Sequence, residues 1–257
     1  MPRGDGRLSH DLDPTDPRPN DECGVFAVWA PGEEVAKLTY FGLYALQHRG
    51  QEAAGLAVAD GTRVVVFKEV GLVSQVFDEP TLASLRGHLA IGHTRYSTTG
   101  GSTWENSQPT IRGNDAGDTL ALAHNGNLVN TAELAAEVRG RGLKADGTSD
   151  THLITALLSS RPDLPLEAAA LELLPRVRGA FSFVFMDERT LYAARDPQGV
   201  RPLVLGRLAR GWVVASEQAA LDIVGASFVR EVEPGELLAI DEGGLRSTRF
   251  APADPKG

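Results

Sequence analysis

A chain of 257 residues with 42% apolar and 23% charged residues has the make-up of a globular protein, long enough for one large domain or two small ones with a proper core. Its net charge of −9 leaves no basic stripe to neutralise phosphates and argues against nucleic acid as a partner. No apolar run approaches the roughly 18–20 residues that span a bilayer and no h-region follows the N terminus, so neither membrane nor secretory signal is expected and the cytoplasm is the default compartment.

Residues 1–22 carry Pro2, Pro14, Pro17 and Pro19 among six acidic residues and three arginines. Such a segment buries too little apolar surface to offset its ordering entropy, and it reads as a flexible leader or a prosegment. Gly24 to Trp29 reads as a buried strand ended by Pro31-Gly32. Val35, Leu38, Gly42, Ala45 and Leu46 recur at helical spacing, predicting a helix over 34–47, with a polar loop from Gln47 to Glu52. Strands over Gly55–Ala59 and Val64–Lys68 flank the turn Asp60-Gly61, a hairpin signal. A short helix over 80–86 and a strand from His88 to His93 follow.

Residues 96–118 are rich in Ser, Thr, Gly and Asn without apolar period, the pattern of a long functional loop such as a lid. Leu120–Ala123 reads as a strand running into a turn at His124-Asn125-Gly126-Asn127. Asn130 followed by Glu133 fits an N-capping arrangement for a helix over 131–140. Ser149-Asp150 opens another helix to 159, with Leu153, Ile154, Leu157 and Leu158 as its stripe, and a third covers 165–175. Strands are then expected over 180–186, 190–194, 203–208 and 211–215, a helix over 217–224, and strands over 227–232, 236–240 and 245–250. Elements cluster rather than alternate, which favours an α+β layered domain with largely antiparallel sheets.

Cys23 is the only cysteine, so it forms no intramolecular disulfide and supplies at most one metal ligand. It stands where the polar leader meets the first strand. That position most often holds a buried core thiol; the functional reading is a nucleophile that becomes the amino terminus once residues 1–22 are removed. No dinucleotide or P-loop glycine pattern, zinc spacing or G-x-S-x-G elbow is present. His48, His93, His124 and His152 cannot be ranked as bases from sequence. Arg95 after a strand reads as a solvated charge or a ligand, Asn125-Gly126 as a turn or an oxyanion hole, and Asp150 as a helix cap or a ligand.

Six stretches together resemble the glutaminase domain of the glutamine phosphoribosylpyrophosphate amidotransferase (amidophosphoribosyltransferase) family. They are Cys23–Phe26, Ala45–Gly55, Gly92–Thr98, His124–Leu128, Thr148–Thr151 and Ala194–Leu203, in the family's order and over nearly the whole chain from residue 23. The resemblance implies a class II glutaminase with the N-terminal-nucleophile hydrolase fold, a four-layer αββα sandwich. It implies Cys23 as nucleophile, with Asn125 and Gly126 as oxyanion hole. Arg95 would hold the α-carboxylate of L-glutamine and Asp150 its α-amino group, with Thr98 in a loop that closes over substrate. The general base would be the Cys23 α-amine, so the Glu22–Cys23 bond has to break first.

Two features depart from the family. His152 stands where Glu is usual, in the first helical turn, where a carboxylate would favour the dipole by about 0.3–1 kcal/mol. The sequence also stops near where the family's phosphoribosyltransferase domain begins, so a domain spanning 23–257 is expected without that partner domain. Mg²⁺ and, in some relatives, a 4Fe–4S cluster belong to the full-length family enzyme. No cofactor or metal is expected here, since one cysteine holds no cluster. Homo-oligomerisation is expected of the full-length enzyme. A sister glutaminase such as that of glucosamine-6-phosphate synthase, and a non-catalytic module of the same fold, are the rival readings.

Overall fold

The computed structural model describes residues 23–96, 104–114, 117–144, 147 and 149–254. The expected leader 1–22 and Thr98, with residues 97–103 of its loop, lie outside the described residues. Strands β1 (Gly24–Trp29), β2 (Ala53–Ala59), β3 (Val64–Val70), β4 (Leu89–Arg95), β9 (Val204–Leu208), β10 (Gly211–Ala215) and β11 (Ser227–Glu231) form one sheet in the order β11-β9-β10-β1-β4-β2-β3. Strands β5 (Thr110–Gly113), β6 (Thr119–Leu128), β7 (Gly179–Met186), β8 (Leu191–Arg195), β12 (Glu236–Asp241) and β13 (Gly244–Arg249) form the second, ordered β13-β12-β8-β7-β6-β5. All strand pairs among the described residues are antiparallel.

Strand periodicity sorts side chains into three cores. In β1, Val25 and Ala27 face the second sheet, joining Ala57, Ala123, Val184 and Ala193 in a layer built largely of small residues. Phe26 and Val28 face the other way, against α1 (Val35–Ala45), α2 (Val73–Val76), α3 (Glu79–Ser84) and α7 (Gln218–Ile223). On the far side, Phe181, Phe183 and Phe185 of β7 pack under α4 (Thr131–Gly140), α5 (Asp150–Ser159) and α6 (Leu166–Leu173). The layers therefore run helix, sheet, sheet, helix, as expected. Gly42 lets α1 sit down on β1, because a Cβ there would come within 2.2 Å of the Phe26 ring. Burying Phe26 contributes roughly 1.5–3 kcal/mol. No helix among the described residues is long and apolar enough to cross a membrane.

Three local expectations are corrected. The long polar stretch before residue 118 contains β5, an edge strand with Ile111 as its one large apolar residue. Asn125 and Gly126 lie inside β6, paired with Ser182 and Phe181, and not in a turn. Gly126 has φ +144°, and a Cβ would meet the Ala180 carbonyl at 2.1 Å, so glycine serves close strand approach there. Asn130 precedes α4 without capping it. Its amide instead donates to the Arg176 carbonyl at 3.0 Å and accepts from Arg178 N–H at 3.0 Å, tying α4 to the entry of β7. The polar segment Gln47–Arg49 is a 3₁₀ turn, and α2 has no counterpart in the sequence reading.

Candidate active site

The start of β1 and the end of β4 meet side by side, with Gly24 opposite Thr94. That pairing sets Cys23 beside Arg95 and Tyr96. From the second sheet, the end of β6 and the start of α5 approach the same point. A cavity of about 390 Å³ opens there, lined by Cys23, Arg95, Gly126, Asp150, His124 and Asn106 among others. Of the residues predicted from sequence, Cys23, Arg95, Gly126 and Asp150 thus converge. Asn125 is buried behind Gly126 and does not line the cavity, and its amide nitrogen has no partner among the described residues.

The Cys23 thiol is half-buried and donates to the Tyr96 carbonyl at 3.6 Å, its one hydrogen bond among the described residues. Burial pushes the thiol up from its ordinary value, against the opposing pull of the Arg95 and Arg49 guanidiniums. Arg95 is buried rather than solvated, and donates to the Asn106 carbonyl. Asp150 accepts from the Leu128 N–H at 3.1 Å and the Thr151 N–H at 2.8 Å, while His124 Nδ1 lies 3.6 Å from its Oδ1. Burial alone would raise that carboxyl, but His124 and the two N–H donors hold it at about 2. The site therefore offers a thiol, a buried cation and an ionised carboxylate across one amino-acid-sized space.

The histidines now separate. His93 is fully buried, its Nε2 donating to the His124 carbonyl at 3.1 Å, and burial lowers it to about 3. His48 faces solvent against Glu217. His152, in the first turn of α5, is buried and takes Ser149 Oγ at 2.8 Å on Nδ1, so a neutral hydroxyl partner replaces any carboxylate–dipole contact at that position. His124 alone of the four lines the cavity, and its ring is directed at Asp150 and not bonded to Cys23. The stretch Ala194–Leu203 lies away from the cavity lining. Sequence reasoning missed Ser216 and Glu217, which reach the start of β1 from the end of β10. A Ser-Glu pair at a strand-to-helix junction was the only local signal.

A model of the glutamine amidotransferase domain family matches residues 93–223. Amidophosphoribosyltransferase of Mycobacterium leprae is 70% identical over 245 residues, covering 93% of this chain and 44% of its own length. Its counterpart in Mycobacterium tuberculosis H37Rv is 69% identical over 245 residues, with 93% and 46% covered. The solved structure of Bacillus subtilis glutamine phosphoribosylpyrophosphate amidotransferase with ADP and GMP superposes with a TM-score of 0.83 at 41% identity, over 89% of this chain and 49% of that one. The chain spans about half the length of the curated relatives it matches.

Proposed function

We propose, on the premise that this chain belongs to the glutamine amidotransferase domain family, that it is the glutaminase half of an amidophosphoribosyltransferase and hydrolyses L-glutamine to glutamate and ammonia. The convergence of thiol, guanidinium, carboxylate and the Gly126 backbone on one cavity carries this reading. Arg95 takes the substrate α-carboxylate and Asp150, ionised across the physiological range, takes the α-ammonium. The side-chain amide then points at Cys23.

A thiol raised by burial needs a base, and no histidine is bonded to it among the described residues. The residue's own α-amine, with a reference pKa of about 7.7–8.0, serves once the Glu22–Cys23 bond is cut, which makes residues 1–22 a prosegment. The thiol proton passes to that amine as sulfur attacks the amide carbon. The Gly126 N–H at the cavity meets the oxyanion and is worth about 2.7–4 kcal/mol of barrier; the Asn125 amide, buried behind it and without a partner among the described residues, has to turn toward the cavity to serve as second donor. The amine returns the proton to the leaving nitrogen, ammonia departs, and water hydrolyses the γ-glutamyl thioester. In the full-length enzyme the ammonia meets phosphoribosylpyrophosphate in the other half, to which Mg²⁺ is also assigned, giving 5-phosphoribosylamine.

The test is ammonia release from L-glutamine with intact mass measured on the same sample. Cys23→Ala is expected to abolish release, and a glutamine-mimicking electrophile to label Cys23 alone. Undiminished release by Cys23→Ala removes the mechanism.

A further inference from the structure

The end of β10 reaches the first residues of β1 twice. Ser216 accepts the Val25 N–H on Oγ at 3.0 Å and returns its own N–H to the Val25 carbonyl at 3.0 Å. One residue on, Glu217 accepts from Arg49 Nη1 at 2.6 Å, and Arg49 Nε donates to the Cys23 carbonyl at 3.2 Å. Both partners are largely shielded, with the Arg49 side chain 12% exposed and that of Glu217 30%. Glu217 stands at the N-cap position of α7 yet makes no cap bond there. Its carboxylate is turned to Arg49, with His48 Nε2 on the other oxygen at 3.1 Å. Neither Arg49 nor Glu217 lines the cavity.

We propose that Glu217 is a positioning residue for the Cys23 nucleophile, acting through Arg49. This rests on the reading of Cys23 as the attacking residue. A pinned carbonyl fixes the backbone at Cys23, and with it the directions of its sulfur and its nitrogen. An arginine side chain has many rotamers, and Glu217 confines this one to the conformation that reaches the carbonyl. The same confinement keeps a positive charge near the thiol, where it favours the thiolate.

Glu217→Gln tests the proposal by two independent readouts on the full chain. Alkylation of Cys23 by iodoacetamide needs no glutamine. At pH 7 it should slow about threefold or more and its pH profile should move up, because Arg49 drifts away and its field is lost. Glutaminase kcat per titrated thiol should fall about tenfold or more with KM within about twofold, since the substrate cavity is untouched. Glu217→Asp should recover part of both, and it replaces the Gln variant if that one does not fold. An alkylation profile that stays or moves down shows that Arg49 holds its place without Glu217, and overturns the proposal. A wild-type chain without glutaminase activity whose thiol still slows in the variant defeats the functional reading while supporting the positioning role.

Discussion

Arg95 ends β4 and Arg195 ends β8, both are buried, and both stand in stretches that carry the family resemblance. Their surroundings are opposite. Arg195 donates to the carbonyls of Arg201 at 2.8 Å, Val232 at 2.8 Å and Gly199 at 2.9 Å, and to Glu231 at 2.9 Å. Beside it, the Asp196 carboxylate accepts from Phe181, Gln198 and Val200 N–H groups. That guanidinium is enclosed by its own chain and knots a loop. Arg95 has one acceptor among the described residues, the Asn106 carbonyl, and its other side faces the cavity. What distinguishes an arginine enclosed by its own chain from one left open to a cavity is where its donors end, and a motif does not reveal that.

Substituting both arginines breaks or sharpens the contrast. Arg195→Ala removes the donor of one buried and two part-buried carbonyls and should lower unfolding free energy by about 2–4 kcal/mol by urea titration, with KM for glutamine unchanged in the folded fraction. Glu231 adds little to that figure, since its side chain is 65% exposed. Arg95→Ala should do the reverse, lowering kcat/KM about a hundredfold, about 3 kcal/mol, while stability moves by less than about 1 kcal/mol. Equal stability losses in the two variants would erase the distinction.

Asp150 provides a smaller effect. Its carboxyl lies at about 2 in the fold against an ordinary 3.8, so it contributes stability above about pH 4 that fades as pH falls toward 2. The contribution is about 2 kcal/mol, and urea midpoints of Asp150→Asn should lose that part of the acid dependence. Smallest of all, Val200→Ser in the Arg195 loop should change stability by less than about 0.5 kcal/mol, because Val200 is 56% exposed.

The sandwich was legible because β1, the β2–β3 hairpin, β7, β8 and β12 show apolar runs or turn signals that burial reproduces. β5 was not, because Thr110-Ile111-Arg112-Gly113 at a sheet edge carries only one large apolar residue. Asn125-Gly126 misled through a dipeptide common in turns, where close packing on Ala180 is the actual demand. Asn130 misled because a cap and a cross-brace use the same side chain. Of the cavity's lining, Cys23, Arg95, Gly126 and Asp150 were pointed to by the resemblance. The Arg49–Glu217 contact was not, since 168 residues separate its partners and neither belongs to a pattern that names the other.

The antiparallel order has a consequence for biosynthesis. β1 lies mid-sheet between β4 and β10, and its hydrogen bond from Val25 to Ser216 spans 191 residues. At ribosomal rates of about 5–20 residues per second, that partner emerges about 10–40 s after β1 itself. During that interval one flank of the strand is open. β1, made early, is therefore among the last strands to be enclosed.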